Sequence, residues 1–180
     1  MQNQNPDTQK ILIIGAECTG KSTLCQALAN EFNTIFTPEY MRIYLNHKPD
    51  GYICQYKDLI FIAQGQIHQE KQLAKTANKY LFCDTSLLLL KVYSEHYFNN
   101  CPQFILDAIP NLTYSHIFVT DNIGITWVAD GQRDLPNGHD MIYQKIIQTL
   151  DFYGLSYHHV SGELSHRINQ VRQILHNKKG

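Results

Sequence analysis

A chain of 180 residues with 43% apolar and 17% charged side chains has enough apolar content for one buried core, which excludes an intrinsically disordered polymer. Its net charge of -1, with no Lys/Arg block interleaved with aromatics, offers no field for a polyanion, so nucleic acid is excluded as the main partner. Five cysteines, odd in number and without a C-x-x-C pair, argue against a disulfide framework or a structural zinc site. The apolar runs are too short for a secretory segment or for the roughly 20 residues of a membrane span. A soluble protein of the reducing cytoplasm, with no membrane partner, is the expectation. Residues 1–9 read as a disordered polar tail and 10–180 as a single domain.

Lys10 to Ile14 is a short apolar run rich in β-branched residues, the pattern of a strand buried on both faces. Leu24, Leu28 and Phe32 then recur at helical spacing after Lys21. Thr34 to Thr37 reads as a second strand, and Pro38 holds its predecessor extended just before Glu39 and Tyr40. Between Tyr56 and Lys75 a long helix is marked by Leu59, Ile60, Ala63, Ile67 and Ala74, with Gly65 a weak point at its middle. Tyr80 to Cys83 is a third strand closed by Asp84. Leu87 to Phe98 fits helix or strand by periodicity, and its length favours helix. A short helix is expected over Pro102 to Ile109 and a fourth strand over His116 to Thr120. Asp130 to Gly138 reads as a polar loop suited to a lid. Ile142, Ile146, Leu150 and Tyr153 trace another helix ended by Gly154, Ser156 to Val160 a fifth strand, and Leu164, Ile168, Val171 and Leu175 the inward face of a last helix. Strands alternating with helices predict an α/β fold with a five-stranded parallel sheet covered on both faces. Its ligand crevice is expected at the carboxyl ends of the strands.

The segment Gly15-Ala16-Glu17-Cys18-Thr19-Gly20-Lys21-Ser22 fits G-x-x-x-x-G-K-[ST] and lies between a strand and a helix, the context this P-loop signature requires. The glycines let backbone N–H groups turn toward phosphate oxygens, and the helix N-terminus adds partial positive charge. Residues 15 to 22 and Thr23 are thus the candidate nucleotide site for ATP or GTP. Lys21 reaches for the β and γ phosphates, and Ser22 offers a hydroxyl to Mg²⁺. Asp84, at a strand end, has two readings: an acid that orients magnesium, or a cap for the following helix, a role open also to Thr85 and Ser86. Glu39 is either the group that binds or deprotonates an acceptor hydroxyl, or a helix-start acid paired with Arg42. Arg42 in turn suits a phosphate. Arg133, in Asp130-Gly-Gln-Arg133, is a candidate closing arginine, with a solvated β-turn as the alternative. Trp127 either stacks on a ring or anchors its loop. His158 and His159 are neighbours in a strand, so they point to opposite faces and do not share a metal. Cys18 reads as a packed loop side chain.

The chain resembles the ribosylnicotinamide kinase domain of bacterial NadR-type proteins and their stand-alone P-loop relatives. The resemblance rests on Gly15 to Thr23, Phe32-Asn-Thr, Glu39-Tyr-x-Arg42, Ala63-x-Gly65, Phe82-Cys-Asp84-Thr85 and Trp127-Val-Ala-Asp-Gly-Gln-Arg133 in that order. It implies a P-loop NTPase of adenylate-kinase-like architecture, a three-layer sandwich. The implied reaction transfers the γ-phosphoryl group of ATP, with Mg²⁺, to the 5′-hydroxyl of nicotinamide riboside, giving nicotinamide mononucleotide. Lys21, Glu39 and Arg133 are then the catalytic candidates. Glu39, Tyr40, Arg42, Trp127 and Asp130 are the acceptor-site candidates, and Ser22 and Asp84 the metal ligands. With only a short tail before the first strand, the adenylyltransferase domain of longer members is expected to be missing. One departure is plain: better-known members carry a Trp before the Glu-Tyr pair that stacks on nicotinamide, and here that position is Pro38. Tyr40, Tyr44 and Trp127 are the candidate replacements. A kinase of another nucleoside-like acceptor, or a nucleotide-sensing ATPase, are the alternative functions; oligomeric state is not indicated.

Overall fold

A computed structural model of the chain describes residues 8–121 and 139–176. Of the tail expected over residues 1–9, residues 1–7 lie outside the described residues, as do the loop calls at Trp127, Asp130 and Arg133, while Gln9 already pairs in the first strand. In strand β1 (Gln9–Gly15), Ile11, Leu12, Ile13 and Ile14 are fully buried. Side chains alternate across a strand, so Ile11 and Ile13 face one way and Leu12 and Ile14 the other, and both faces require cover. Helices α1 (Lys21–Glu31) and α7 (Leu164–His176) cover the first face through Leu24, Leu28, Val171 and Leu175. The second face is covered by α3 (Asp58–Leu73), α4 (Leu87–Phe98) and α6 (His139–Phe152), through residues such as Ala63, Leu88 and Ile146. At roughly 2 kcal/mol for each large apolar side chain withdrawn from water, these two layers dominate the folding energy.

β1 is the central strand. It pairs in parallel with β3 (Tyr80–Asp84) on one side and β4 (His116–Thr120) on the other. β2 (Ile35–Thr37) adds to β3 and β5 (His158–Val160) to β4, again in parallel, giving the order β2-β3-β1-β4-β5. The expected five-stranded parallel sheet between two helical layers is therefore present. Because all strands run the same way, Gly15, Thr37, Asp84, Thr120 and Val160 end at one edge, where ligands bind in open α/β sheets.

Several elements differ from the sequence reading. Helix α2 (Tyr40–Asn46) was implied only by the reading of Glu39 as a helix-start acid, because none of its residues is buried and it carries no clean apolar stripe. The segment 87–98 is helical as expected, started by Ser86, whose hydroxyl accepts from the Leu88 N–H at 3.2 Å. A further helix, α5 (Gln103–Ala108), passes into a 3-10 turn at Ile109–Asn111. Gly65 sits inside α3 because a Cβ there would lie 1.9 Å from the Tyr40 ring, so the aromatic side chain occupies the glycine's space. On α7 the inward face is shifted: Leu164 is 40% exposed while Arg167 is 2% exposed. Among the described residues no helix is long and apolar enough to cross a membrane.

Candidate functional site

The turn after β1 is shaped by contacts that leave no room for a side chain at Gly15. A Cβ there would lie 2.2 Å from Thr120 Oγ1 and 2.6 Å from the Thr120 carbonyl oxygen. Thr120, at the end of β4, donates to Thr19 Oγ1 at 2.7 Å, and Thr19 donates to the Ala16 carbonyl at 2.8 Å. Cys18 at φ 55° and Gly20 at φ 74° take left-handed conformations, which curl successive N–H groups inward into an anion-binding concavity. Lys21 is 9% exposed and its Nζ donates to the Ala16 carbonyl at 2.7 Å, so the ammonium lies across the loop. Ser22 and Thr23 are exposed in the first turn of α1, which contains no acidic side chain to cancel the positive helix end.

Asp84 ends β3 beside this loop. The capping alternative falls away, since Ser86 supplies the cap of α4. Asp84 is 2% exposed, and its Oδ1 has no hydrogen-bond partner among the described residues. Burial pushes its carboxyl up to about 6; Lys21 opposes that rise, Glu39 adds to it, and a Ser22 hydrogen bond and Arg42 oppose it. The next residue, Thr85, holds φ 68°, a costly conformation for a β-branched residue, fixed by its N–H donating to the Ile13 carbonyl at 3.0 Å. Among the described residues no three His, Cys, Asp or Glu side chains gather into a metal cage. The donors present, one orphaned carboxylate oxygen and the Ser22 hydroxyl, suit a hard cation that also binds phosphate oxygens.

Glu39 stands at the start of α2, and its carboxylate accepts from Arg42 Nε at 3.0 Å. Both residues, with Glu17 and Lys21, form the polar part of a cavity of about 440 Å³. The two sequence readings of Glu39 coexist, because the ion pair itself lines the cavity. The opposite walls come from Leu59, Leu90, Tyr93, Tyr97 and Phe98, and from Tyr52 in the loop before α3. Tyr52 is held in place by Asp58, which accepts from Tyr52 at 2.7 Å, Tyr44 at 2.9 Å and the Gln55 N–H at 2.9 Å. Burial of Asp58 works against ionisation, but these three hydrogen bonds outweigh it and hold the carboxyl below its ordinary value. Hydrogen bonding to Asp58 pushes the Tyr52 phenol up to about 12.

Of the candidate platforms, Tyr40 and Tyr44 lie outside this cavity. The Tyr40 ring packs on Gly65 beside a shallow groove that also contains Pro38, and the Pro38 carbonyl accepts from Gln69 at 2.7 Å. Tyr44 spends its hydroxyl on Asp58. The sequence reading missed Tyr52, Tyr93, Tyr97 and Phe98, which no motif contains, and Asp58, whose buried hydrogen bonds only the fold reveals. His158 stacks near Phe118 at 5.3 Å whereas His159 meets the Tyr143 hydroxyl at 2.8 Å, so the pair has separate partners.

A left-handed glycine-bearing loop between a central parallel strand and a helix, with a buried acid at the end of the adjacent strand, defines an α/β P-loop NTPase of the adenylate-kinase-like kind. The chain belongs to the AAA domain family AAA_28, whose model matches residues 10–167. Over 132 residues it is 34% identical to the trifunctional NAD biosynthesis/regulator protein NadR of Escherichia coli strain K12, covering 72% of this chain and 32% of that protein. The NadR of Salmonella typhimurium strain LT2 matches to the same extent. The chain thus spans about a third of the length of these curated relatives. Among solved structures, a NadR protein in complex with NR superposes with a TM-score of 0.78 at 20% identity, covering 97% of this chain and 51% of that one. Thymidylate kinase from Ehrlichia chaffeensis shares the fold at a TM-score of 0.67 and 14% identity, over 94% of this chain and 100% of that one. The NadR-type resemblance carried by the motifs is borne out by these matches.

Proposed function

We propose that the protein uses Mg²⁺ and ATP to phosphorylate the 5′-hydroxyl of nicotinamide riboside, giving nicotinamide mononucleotide, with residues 10–180 as one kinase-like unit of the cytoplasm. The observation that carries this reading is that Lys21, Glu39 and Arg42 line one cavity whose phosphate-loop side adjoins Asp84. In this scheme the loop amides and Lys21 hold the triphosphate, and the concave backbone excludes water from its tail. Ser22 and Asp84 would hold Mg²⁺, which when bound would neutralise charge on the phosphoryl oxygens. Glu39 accepts the proton of the acceptor hydroxyl, and its pairing with Arg42 orients it. Arg133 is assigned to the phosphoryl oxygens, and Trp127 and Asp130 to the acceptor side, on the motif resemblance.

The cavity suits the acceptor. Nicotinamide riboside carries a cationic planar ring, and the ring faces of Tyr52, Tyr97 and Phe98 suit such a cation, while the carboxylates of Glu17 and Glu39 are matched in the same lining by Lys21 and Arg42. In this reading the ring platform is assigned to α4 and the loop before α3, in place of the position taken by Pro38. Tyr97→Ala is accordingly expected to raise the acceptor KM about tenfold, on the order of 1 kcal/mol or slightly more, with the ATP KM unchanged. Steady-state kinetics with each substrate varied in turn check it.

The activity is tested by incubating the protein with ATP, magnesium and a panel of nucleosides that includes nicotinamide riboside, and resolving the products by chromatography. A monophosphate of nicotinamide riboside is the expected product. ADP formation that ignores every acceptor would replace the kinase reading with a nucleotide-sensing ATPase. Glu39→Gln should lower kcat by about a hundredfold while leaving nucleotide affinity within twofold, because it removes the proton acceptor and not the phosphate cradle.

A further inference from the structure

Arg167 belongs to none of the recognised motifs, lies on the last described helix and is 2% exposed. A guanidinium is rarely buried so completely unless its donors are met. Here they reach backbone carbonyls on three separate segments. Nε donates to Gly162 at 2.6 Å in the turn before α7, one terminal nitrogen donates to Thr19 at 2.6 Å in the phosphate loop, and the other donates to Asp121 at 3.1 Å just past β4. The Asp121 carboxylate, 3.5 Å away, supplies countercharge.

The contact to Thr19 has a consequence for ligand binding that core packing alone would not have. The Thr19 carbonyl and the Gly20 N–H belong to one planar trans peptide and point in opposite directions. Fixing the carbonyl on the α7 side therefore aims the Gly20 N–H toward the opposite side, the concave face of the loop. Gly20 stands at φ 74° with ψ 20°, and no side-chain cap steadies this helix start. With so free a residue at the turn, an external tether is what selects one peptide orientation.

We propose that Arg167 is a positioning residue for nucleotide binding: its three-way grip sets the phosphate loop so that the Gly20 amide faces the nucleotide's phosphates. The planar fork does this, and an ammonium cannot, because a single Nζ does not span three carbonyls on separate segments. The proposal needs only nucleotide binding, so it stands apart from the identity of the acceptor.

The test compares wild type, Arg167→Lys and Arg167→Ala by calorimetric titration with Mg-ATP and with adenosine, alongside thermal unfolding. Arg167→Lys keeps the charge and is expected to fold, yet to bind Mg-ATP at least tenfold more weakly with adenosine binding unchanged. For Arg167→Ala, added guanidinium at low millimolar concentration should restore part of the Mg-ATP affinity, whereas ammonium should not. Wild-type Mg-ATP affinity in Arg167→Lys overturns the proposal. So does a parallel loss toward ATP and adenosine, which would mark a general loosening of the fold. If wild type itself fails to bind Mg-ATP, the phosphate-loop reading and this proposal fall together; if it binds but phosphorylates no nucleoside, only the kinase reading falls.

Discussion

Lys21→Ala is expected to lower phosphoryl transfer about a thousandfold and to weaken Mg-ATP binding far more than it affects folding. The reason is local. The residue is 9% exposed and its ammonium is bonded to the Ala16 carbonyl at 2.7 Å, so it is a fixed positive charge in a site largely withdrawn from water. There a charge meeting phosphate oxygens is screened much less than on the surface. Lys21→Arg should fail to restore activity, because a guanidinium fork does not fit the slot that a compact ammonium fills beside the loop carbonyl. Calorimetry measures the binding and a coupled ADP assay the turnover. Unchanged nucleotide affinity in Lys21→Ala would dismantle the functional reading, since the loop would then not be holding a triphosphate.

How far the sequence discloses this molecule depends on whether the cause of each feature is local. The Lys10 to Ile14 run could only be a strand buried on both faces, and the glycines and lysine that follow carry their geometry with them. That is why the sheet's centre and the phosphate loop were legible together. The helix from Leu87 was ambiguous because Leu87, Leu88, Leu89 and Leu90 are all buried, so its first turn shows no period and only Glu95 and His96, farther along, mark a polar side. α2 was marked only by Glu39 as a helix-start acid and not by periodicity, for the opposite reason, having no buried face at all. Gly65 looked like a flaw in its helix, yet it is the space taken by the Tyr40 ring, a cause 25 residues away in the chain. Arg167 and Asp58 were illegible for the same kind of reason: their partners are brought together only by the fold. The cavity walls at Tyr52 and Tyr97 carry no motif, because an aromatic wall needs only rings of suitable size.

Asp84→Asn should separate stability from function with opposite signs. The carboxyl of Asp84 is pushed up to about 6 by burial, against an ordinary value of 3.8. Between about pH 4 and pH 6 the folded chain therefore holds a proton there that the unfolded chain has released. More protons bound in the folded state means that stability falls as pH rises through this window, by up to about 3 kcal/mol for a two-unit shift, and is level above it. At pH 7 the folded protein bears that cost in full, with Oδ1 lacking a hydrogen-bond partner among the described residues. A neutral amide of the same shape is relieved of it. Asp84→Asn is thus expected to melt higher than wild type at pH 7 without ligands, to lose the difference near pH 4, and yet to lower magnesium-supported turnover about a thousandfold. Proton and magnesium compete for the same oxygen, so at subsaturating magnesium wild-type activity is also expected to fall as pH drops toward the acid range, and raising magnesium should move that fall to lower pH. Melting curves at pH 4 and 7, with turnover at saturating magnesium, decide the matter. If the variant is less stable than wild type at pH 7, the carboxylate is making net favourable contacts within the protein, and its buried charge is not held in reserve for a cation.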